Sequence, residues 1–127
     1  MCALTIGESA TAGYIGLING IVSITYAAPD TLVTNNASQD KECSHIIFFN
    51  YHSAAVVVKI YYLPNNATAV RVPASEDQYK IAEHSIGADK TWTWDIPMYL
   101  AATNDTIGVT ASTTAVVNCL AFGYEKA

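Results

Sequence analysis

Hydrophobic and polar residues alternate with a period of two in the regular parts of this chain. The alternation is clearest in residues 20–26 (GIVSITY) and 106–112 (TIGVTAS), where apolar side chains take turns with serine, threonine and glycine. A period of two is typical of β-strands with one buried face. Five further segments are rich in β-branched and aromatic residues and also predict strands: residues 43–50, 55–63, 79–86, 91–96 and 115–125. No segment has a convincing helical period.

Turn-forming residues separate these strands and indicate the fold class. Asn, Pro, Gly and Asp cluster between the predicted strands, which follow one another about every ten to fifteen residues, as in an antiparallel sandwich. The sequence therefore predicts an all-β fold, an antiparallel two-sheet sandwich of roughly eight strands with jelly-roll or immunoglobulin-like topology. We expect residues 20–127 to form this sandwich and residues 1–19 to form an N-terminal arm.

The predicted arm is rich in small residues and has no charge after Glu8. Its glycine content argues against a strand. Two interpretations remain open, because an apolar terminal segment can extend onto a neighbouring subunit or fold back over its own sheet.

Two predicted strands are apolar on both faces, in residues 55–63 and 115–124. A sandwich ordinarily leaves one face of each sheet in water, so something must cover the second apolar face. We favour another subunit, with the arm or a long loop as the alternative. The interface positions expected on this basis are Tyr14, Ile15, Leu17 and Ile18 in the arm, and Tyr61 and Leu63 in the strand.

Composition narrows the function classes. Charged residues are only 13% of the 127 residues, and six Lys and Arg against eleven Asp and Glu give a net charge of −5. Nucleic acid is a poor partner for such a chain, because phosphate binding needs clustered cations. Residues 9–29 are uncharged, yet their glycines and polar residues argue against a membrane span. Without a recognisable secretion signal, we expect synthesis in a cytoplasm.

The chemistry-bearing side chains form no recognisable catalytic or metal-binding motif. Cys2, Cys43 and Cys119 are widely spaced and predict reduced thiols, the last two as core residues. The three histidines lack metal-ligand spacing. We therefore predict no enzyme activity, no catalytic or metal site and no cofactor. Trp92 and Trp94 share one face of a strand and predict core packing, with a sugar-binding platform as the functional alternative.

The order of these segments resembles a class of small β-sandwich virion proteins of tailed bacteriophages. The resemblance covers about residues 20 to 125 and rests on short stretches in a fixed order: Tyr26-Ala-Ala-Pro29, His45-Ile-Ile-Phe-Phe-Asn50, Ser53-Ala-Ala-Val-Val-Val-Lys-Ile-Tyr-Tyr-Leu-Pro64, Trp92-Thr-Trp-Asp-Ile-Pro97, and Asp105-Thr-Ile-Gly-Val-Thr-Ala-Ser112 followed by Ala115-Val-Val-Asn118. The chain departs from that class in two loops, at residues 65–67 and 69–80.

This resemblance implies a capsid decoration or cement protein that oligomerises on, and stabilises, the shell of the major capsid protein. The implied partners are the major capsid protein and further copies of the chain, as a homodimer or homotrimer, and the implied location is the capsid surface of the virion. Two alternatives remain, a tail, baseplate or fibre-associated virion protein and a carbohydrate-binding sandwich module.

Overall fold

The computed structural model describes residues 10–26, 28–35, 40–64, 78–101 and 104–126. These parts of the chain contain nine β-strands and no α-helix, so no helix there could cross a membrane. The strands are β1 Ala10–Ile18, β2 Asp30–Thr34, β3 Lys41–Asn50, β4 Val56–Leu63, β5 Lys80–Ile86, β6 Thr91–Trp94, β7 Met98–Leu100, β8 Thr106–Ala111 and β9 Val117–Lys126.

The strands form two antiparallel sheets. The first has the order β1-β9-β3-β6, with β7 also paired to β3, and the second has the order β2-β8-β4-β5. Strands β6 and β7 pair with different parts of β3 and act as one interrupted strand. Counted in that way, the pairs are nested, first strand with last, second with second to last, and so on inward. This is the order of a long hairpin rolled into two sheets, so the all-β sandwich prediction is confirmed and its topology is the jelly roll.

The hydrophobic core lies between the inner faces of the two sheets. Alternate residues of β4 and β8 meet alternate residues of β3 and β9 there, and nearly all are fully buried: Cys43, Ile46, Phe48, Val56, Val58, Ile60, Ile107, Val109, Ala111, Val117, Cys119 and Ala121. The burial follows the period of two that the sequence shows in these strands.

The start of the sandwich differs from the sequence prediction. Residues 10–18, assigned above to an arm, form edge strand β1 and pair with β9 along their length. Backbone pairing to a long central strand outweighs the weak strand propensity of the two glycines in this segment. Residues 1–9 lie outside the described residues.

The predicted strand at residues 20–26 is a loop, and the next strand, β2, begins at Asp30. Val22 and Ile24, which the alternation placed on a buried face, are 60% and 61% exposed, whereas Ile21 is fully buried. The loop is held by local hydrogen bonds and by single backbone bonds to β8 and β9 instead of a ladder. The Asp30 carboxylate accepts the Val22 and Ser23 backbone N–H groups at 2.8 and 3.4 Å. The Ser23 carbonyl oxygen accepts the Ala111 N–H at 3.0 Å, and the Ile21 N–H donates to the Val117 carbonyl oxygen at 2.8 Å. Residues 21–26 and 28–29 are called the covering loop below.

Asn50 joins two turns at one end of the sandwich. Its fully buried side chain donates from Nδ2 to the carbonyls of Ala54, Ile86 and Gly87, at 2.9 to 3.1 Å, and its Oδ1 accepts the His52 N–H at 2.9 Å. The amide thereby satisfies backbone groups that the turns leave unpaired, and its burial has a structural explanation.

Candidate assembly surface

The outer face of the first sheet carries a continuous apolar surface. Register places Leu17, Leu120 and Ile47 side by side across β1, β9 and β3. The neighbouring row consists of Tyr14, Phe122 and His45. We call the outward apolar residues of this sheet the open face: Tyr14, Leu17, Ile47, Phe49, Leu120, Phe122 and Tyr124.

The open face is exposed in the single chain. Tyr14 is 69% exposed and Leu17 52%, while Phe49 and Tyr124 are also exposed. Two shallow depressions divide the face, one lined by residues around Leu17, Phe49 and Leu120 and one around Phe122 and Tyr124. A surface of this kind, formed by several adjacent strands, is typical of an interaction site.

Charge is scarce on this face. The two rows named above contain no Asp, Glu, Lys or Arg side chain. Their one histidine, His45, stacks its ring on Phe122 with the ring centroids 5.0 Å apart. Glu42 lies opposite Tyr124 at the margin. A partner would therefore have few charges to desolvate on contact with the middle of the face.

The outer face of the second sheet is apolar in sequence but covered in the structure. Tyr61 is 2% exposed and Leu63 3%. Pro29 of the covering loop and Leu63 of β4 both lie close to Gly108 in β8. A Cβ added to Gly108 would lie 2.9 Å from Pro29 Cβ and 3.3 Å from Leu63 Cδ1. Tyr26 and Tyr61 line a cavity of about 410 Å³ between the covering loop and this sheet. We call this second surface the covered face.

The six predicted interface residues therefore separate into three pairs. Tyr14 and Leu17 lie on the open face, whereas Ile15 and Ile18 pack against the core from the same strand. Tyr61 and Leu63 belong to the covered face, where the chain itself explains their apolar character and a partner subunit is not needed. For the exposed pair, participation in an interface stays a prediction.

Sequence reasoning did not select Ile47, Phe49, Leu120 and Tyr124 as interface residues. Residues 46–49 are Ile-Ile-Phe-Phe, so β3 is apolar on both faces just as β4 and β9 are. That pattern could have identified them. It could not have shown which of the three strands keeps its second face open.

The paired tryptophans are core residues and do not form an exposed platform. Trp92 and Trp94 pack against the core, and Trp92 lies between Phe48 and His84 with ring centroids 5.3 and 4.6 Å away. This confirms the core-packing prediction. A sugar would have no free indole face between those two rings.

The buried thiols are poorly suited to chemistry. Burial, with a smaller contribution from the charge of Glu42, raises the pKa of Cys43 to about 12, and burial raises the pKa of Cys119 well above its usual range. Both thiols are thus protonated at neutral pH and inert, as small core residues. Cys2 lies outside the residues described. Over the part of the chain that the structure covers, no three His, Cys, Asp or Glu side chains come together as a metal site would require.

Tyr62 and Asp105 form a hydrogen-bonded pair near the other end of β4, in which Asp105 is buried and Tyr62 half-buried. The Tyr62 hydroxyl donates to Asp105 Oδ2 at 3.0 Å or to the Tyr99 carbonyl oxygen at 2.8 Å. Burial, and then the hydrogen bond to Asp105, raise the pKa of Tyr62 above its ordinary value. The Tyr62 hydroxyl thereby links β4 to Tyr99 in β7 and to Asp105, the residue before β8, which gives the pair a structural explanation.

Comparison with known proteins supports the fold. No protein-family model and no curated protein matches the sequence. Among solved structures, a chain of the virus-like particle of extra small virus from the giant freshwater prawn Macrobrachium rosenbergii aligns with a TM-score of 0.52 and 9% identity, covering 99% of this chain and 83% of that one. At this identity the likeness shows a shared fold.

Two further likenesses are lower. The acid-stable capsid of a Helicobacter pylori bacteriophage aligns with a TM-score of 0.43 and 6% identity, covering 94% of each chain. Modules of a Clostridium thermocellum endo-1,4-beta-D-xylanase, complexed with xylohexaose, align with a TM-score of 0.37 and 12% identity, covering 97% of this chain and 25% of that one.

Proposed function

We propose that this chain is a structural virion protein that acts by assembly, and that its place is the outer capsid surface, as a decoration or cement protein. The observation that carries the proposal is the open face, a broad apolar surface that is exposed on the single chain. A structural role needs contact area and no reaction, and the proposal assigns the chain no catalytic residue and no cofactor.

Three properties support a role in the virion. The segment order resembles small virion proteins of tailed bacteriophages, the jelly roll is a common capsid fold, and the fold is shared with a chain of a virus-like particle. The low charge content suits extended contacts between neutral strands. Many weak contacts of this kind become strong collectively, because each copy on a shell touches several neighbours.

The proposed partners are the major capsid protein and further copies of this chain. Tyr14 and Leu17 would contribute to those contacts from β1, together with Phe49 and Leu120 from the neighbouring strands. The proposal excludes Tyr61 and Leu63 from the contact surface, because the chain buries both.

The decisive experiment is co-sedimentation of the purified chain with capsids and, separately, with tails from virions that contain it. We expect saturable binding to expanded capsids and none to tails. The variant Leu17→Lys should weaken capsid binding, whereas Ile81→Lys should not, because Ile81 is similarly exposed but lies on β5 at the far edge of the other sheet.

Three other outcomes would overturn the proposal. Binding to tails alone would place the protein elsewhere in the virion. Closed particles formed by the chain alone, seen by electron microscopy, would make it a shell subunit instead of a decoration. Glycan binding lost in Trp92→Ala, with no capsid binding, would favour the carbohydrate-binding alternative.

A further inference from the structure

The N-terminal half of β1 is an open sheet edge. Strand β1 is the last strand on its side of the first sheet, and no other described strand pairs with its outer edge. Ala12, Gly13 and Tyr14 are all exposed, whereas Gly16 lies against the Leu32 backbone of the opposite sheet. The backbone of residues 10–14 therefore presents N–H and C=O groups that another strand can pair with.

The other three edges carry features that oppose such pairing. The edge formed by β6 and β7 is interrupted by residues 95–97, which include Asp95 and Pro97. Strand β2 begins with Asp30 and has an irregular register. Strand β5 carries Lys80 and Glu83, joined in a 3.0 Å salt bridge. Charge, proline and bulges are the devices that protect edges from association.

Residues 10–14 lack all of these devices. The segment reads Ala-Thr-Ala-Gly-Tyr, with no charge and no proline, and the one bulge of β1 follows it, between Tyr14 and Gly16. A neutral, regular edge of this length is the place where the sandwich is least protected against strand addition.

We propose that a second copy of this chain pairs with this edge, β1 against β1, antiparallel and centred on Ala12. The two first sheets then become one continuous sheet across a twofold axis, and the two open faces join into one surface. The contact is isologous, since each strand meets an identical strand.

A second copy fits this edge because the segment is complementary to itself. The segment carries no charge, so two copies meet here without placing like charges opposite one another, although each copy has a net charge of −5. The centre at Ala12 also pairs residues 10–14 with each other and leaves both bulges outside the ladder. This pairing does not depend on a role in virions.

The first test is the solution mass of the full chain by light scattering over a range of concentrations. We expect a reversible dimer for the wild type. Ala12→Lys places two charges directly opposite one another at the twofold axis and should raise the dissociation constant on the order of tenfold or more. Ile81→Lys is the matched control on edge strand β5 and should dimerise like the wild type. A wild type that is monomeric throughout, or equal effects of the two lysines, would overturn the pairing.

The second test separates edge pairing from stacking of the open faces. In a Cys2→Ser background, Ala12→Cys should form a disulfide-linked dimer under mild oxidation, because directly opposed residues in an antiparallel pair lie within reach of one another. Ile81→Cys in the same background should stay monomeric. A dimer in solution that Ala12→Cys does not cross-link would show that the copies meet elsewhere.

Discussion

The two outer faces of the sandwich begin from similar sequence patterns and end in different environments. In β4 the chain itself buries the outward side chains of Tyr61 and Leu63, which are 2% and 3% exposed, on the side of the sheet where the covering loop lies. In β3 and β9 the second apolar face meets no described segment from outside, and Phe49 and Tyr124 remain exposed. A strand that is apolar on both faces therefore indicates a contact within the chain in the second sheet and a candidate interface in the first.

The difference arises from the connection between β1 and β2. That connection crosses from the first sheet to the second, and the Asp30 carboxylate and Ser23 hydroxyl fold it back on itself, the hydroxyl donating to the Ala28 carbonyl oxygen at 2.7 Å. The first sheet has no described connection of this kind across its outer face. A strand that is apolar on both faces thus predicts a cover, but the position of the loops decides whether the cover is the same chain.

The largest expected effect comes from truncating one tyrosine on each face. Tyr61→Ala removes a buried ring beneath the covering loop and should lower the free energy of unfolding by about 3 to 5 kcal/mol. Tyr14→Ala removes a ring that is 69% exposed and should change it by less than about 0.5 kcal/mol. Urea unfolding of both variants measures the contrast.

Equal destabilisation by the two substitutions would contradict the distinction between the faces. The experiment should be run at a concentration where the wild type is monomeric, because burial of Tyr14 between copies would otherwise add to its apparent contribution.

The sequence predicts the two-sheet sandwich and its central strands, but not edge strand β1 or the loop that follows it. Strands β4, β8 and β9 follow from β-branched residues at a period of two, and the jelly-roll or immunoglobulin-like sandwich follows from their spacing. Strand β1 was missed because its glycines and alanines have little intrinsic strand preference, and only pairing with β9 makes it a strand. Residues 20–26 alternate as a strand does, yet they form a loop in which the Val22 and Ser23 N–H groups donate to the Asp30 carboxylate.

The sequence predicts only part of the candidate assembly surface. Tyr14 and Leu17, selected because an uncharged segment with large apolar side chains predicts contact, lie exposed on the open face, and their place in an interface stays a prediction. Tyr61 and Leu63 were selected because residues 55–63 are apolar on both faces, but the chain itself buries them on the side of the covering loop, which bonds to residues distant in sequence, Ala111 and Val117. Which face of a strand looks inward depends on register, and a single sequence does not show register.

A substitution at Asp30 should destabilise the covering loop. Asp30→Ala removes the acceptor for the Val22 and Ser23 N–H groups and should cost about 1 to 2 kcal/mol of unfolding free energy. Hydrogen exchange should also accelerate at these two amides and leave the β9 amides unchanged. Asp95→Ala, at an exposed carboxylate, is the matched control and should cost less than about 0.5 kcal/mol.

If the Asp30 substitution left the exchange of both amides unchanged, the carboxylate would not be what holds the covering loop. If it also accelerated exchange throughout β9, the loop would be part of the global folding unit and not a local cover.

Alkaline pH should lower the free energy of unfolding through two thiols on the inner face of the first sheet. The thiols of Cys43 and Cys119 belong to β3 and β9, and burial raises the pKa of both. A group whose pKa is raised by folding stabilises the fold fully below its unfolded pKa, here 9.0, and this contribution is lost as pH rises, for Cys43 towards about 12.

The midpoint of urea unfolding should therefore fall between pH 9 and pH 11 in the wild type. The fall should be shallower in Cys43→Ala/Cys119→Ala, even though that variant starts from a lower stability because of the lost side-chain volume. Identical slopes for the two proteins would mean that other groups, the tyrosines above all, account for the whole alkaline loss.

The smallest expected effect on stability is also the most informative about the open face. Leu17→Ser changes a side chain that is 52% exposed, so the unfolding free energy of the monomer should change by less than about 0.5 kcal/mol. Its binding to capsids should nevertheless weaken, because Leu17 stands in one row with Leu120 and Ile47 and a polar substituent breaks that row at its end. Co-sedimentation with capsids and urea unfolding of the same variant separate the two quantities.

Val22→Ser is the control, since Val22 is 60% exposed but lies in the covering loop, away from the open face. A loss of capsid binding in the control equal to that in Leu17→Ser would mean that general surface hydrophobicity, and not the open face, drives the contact.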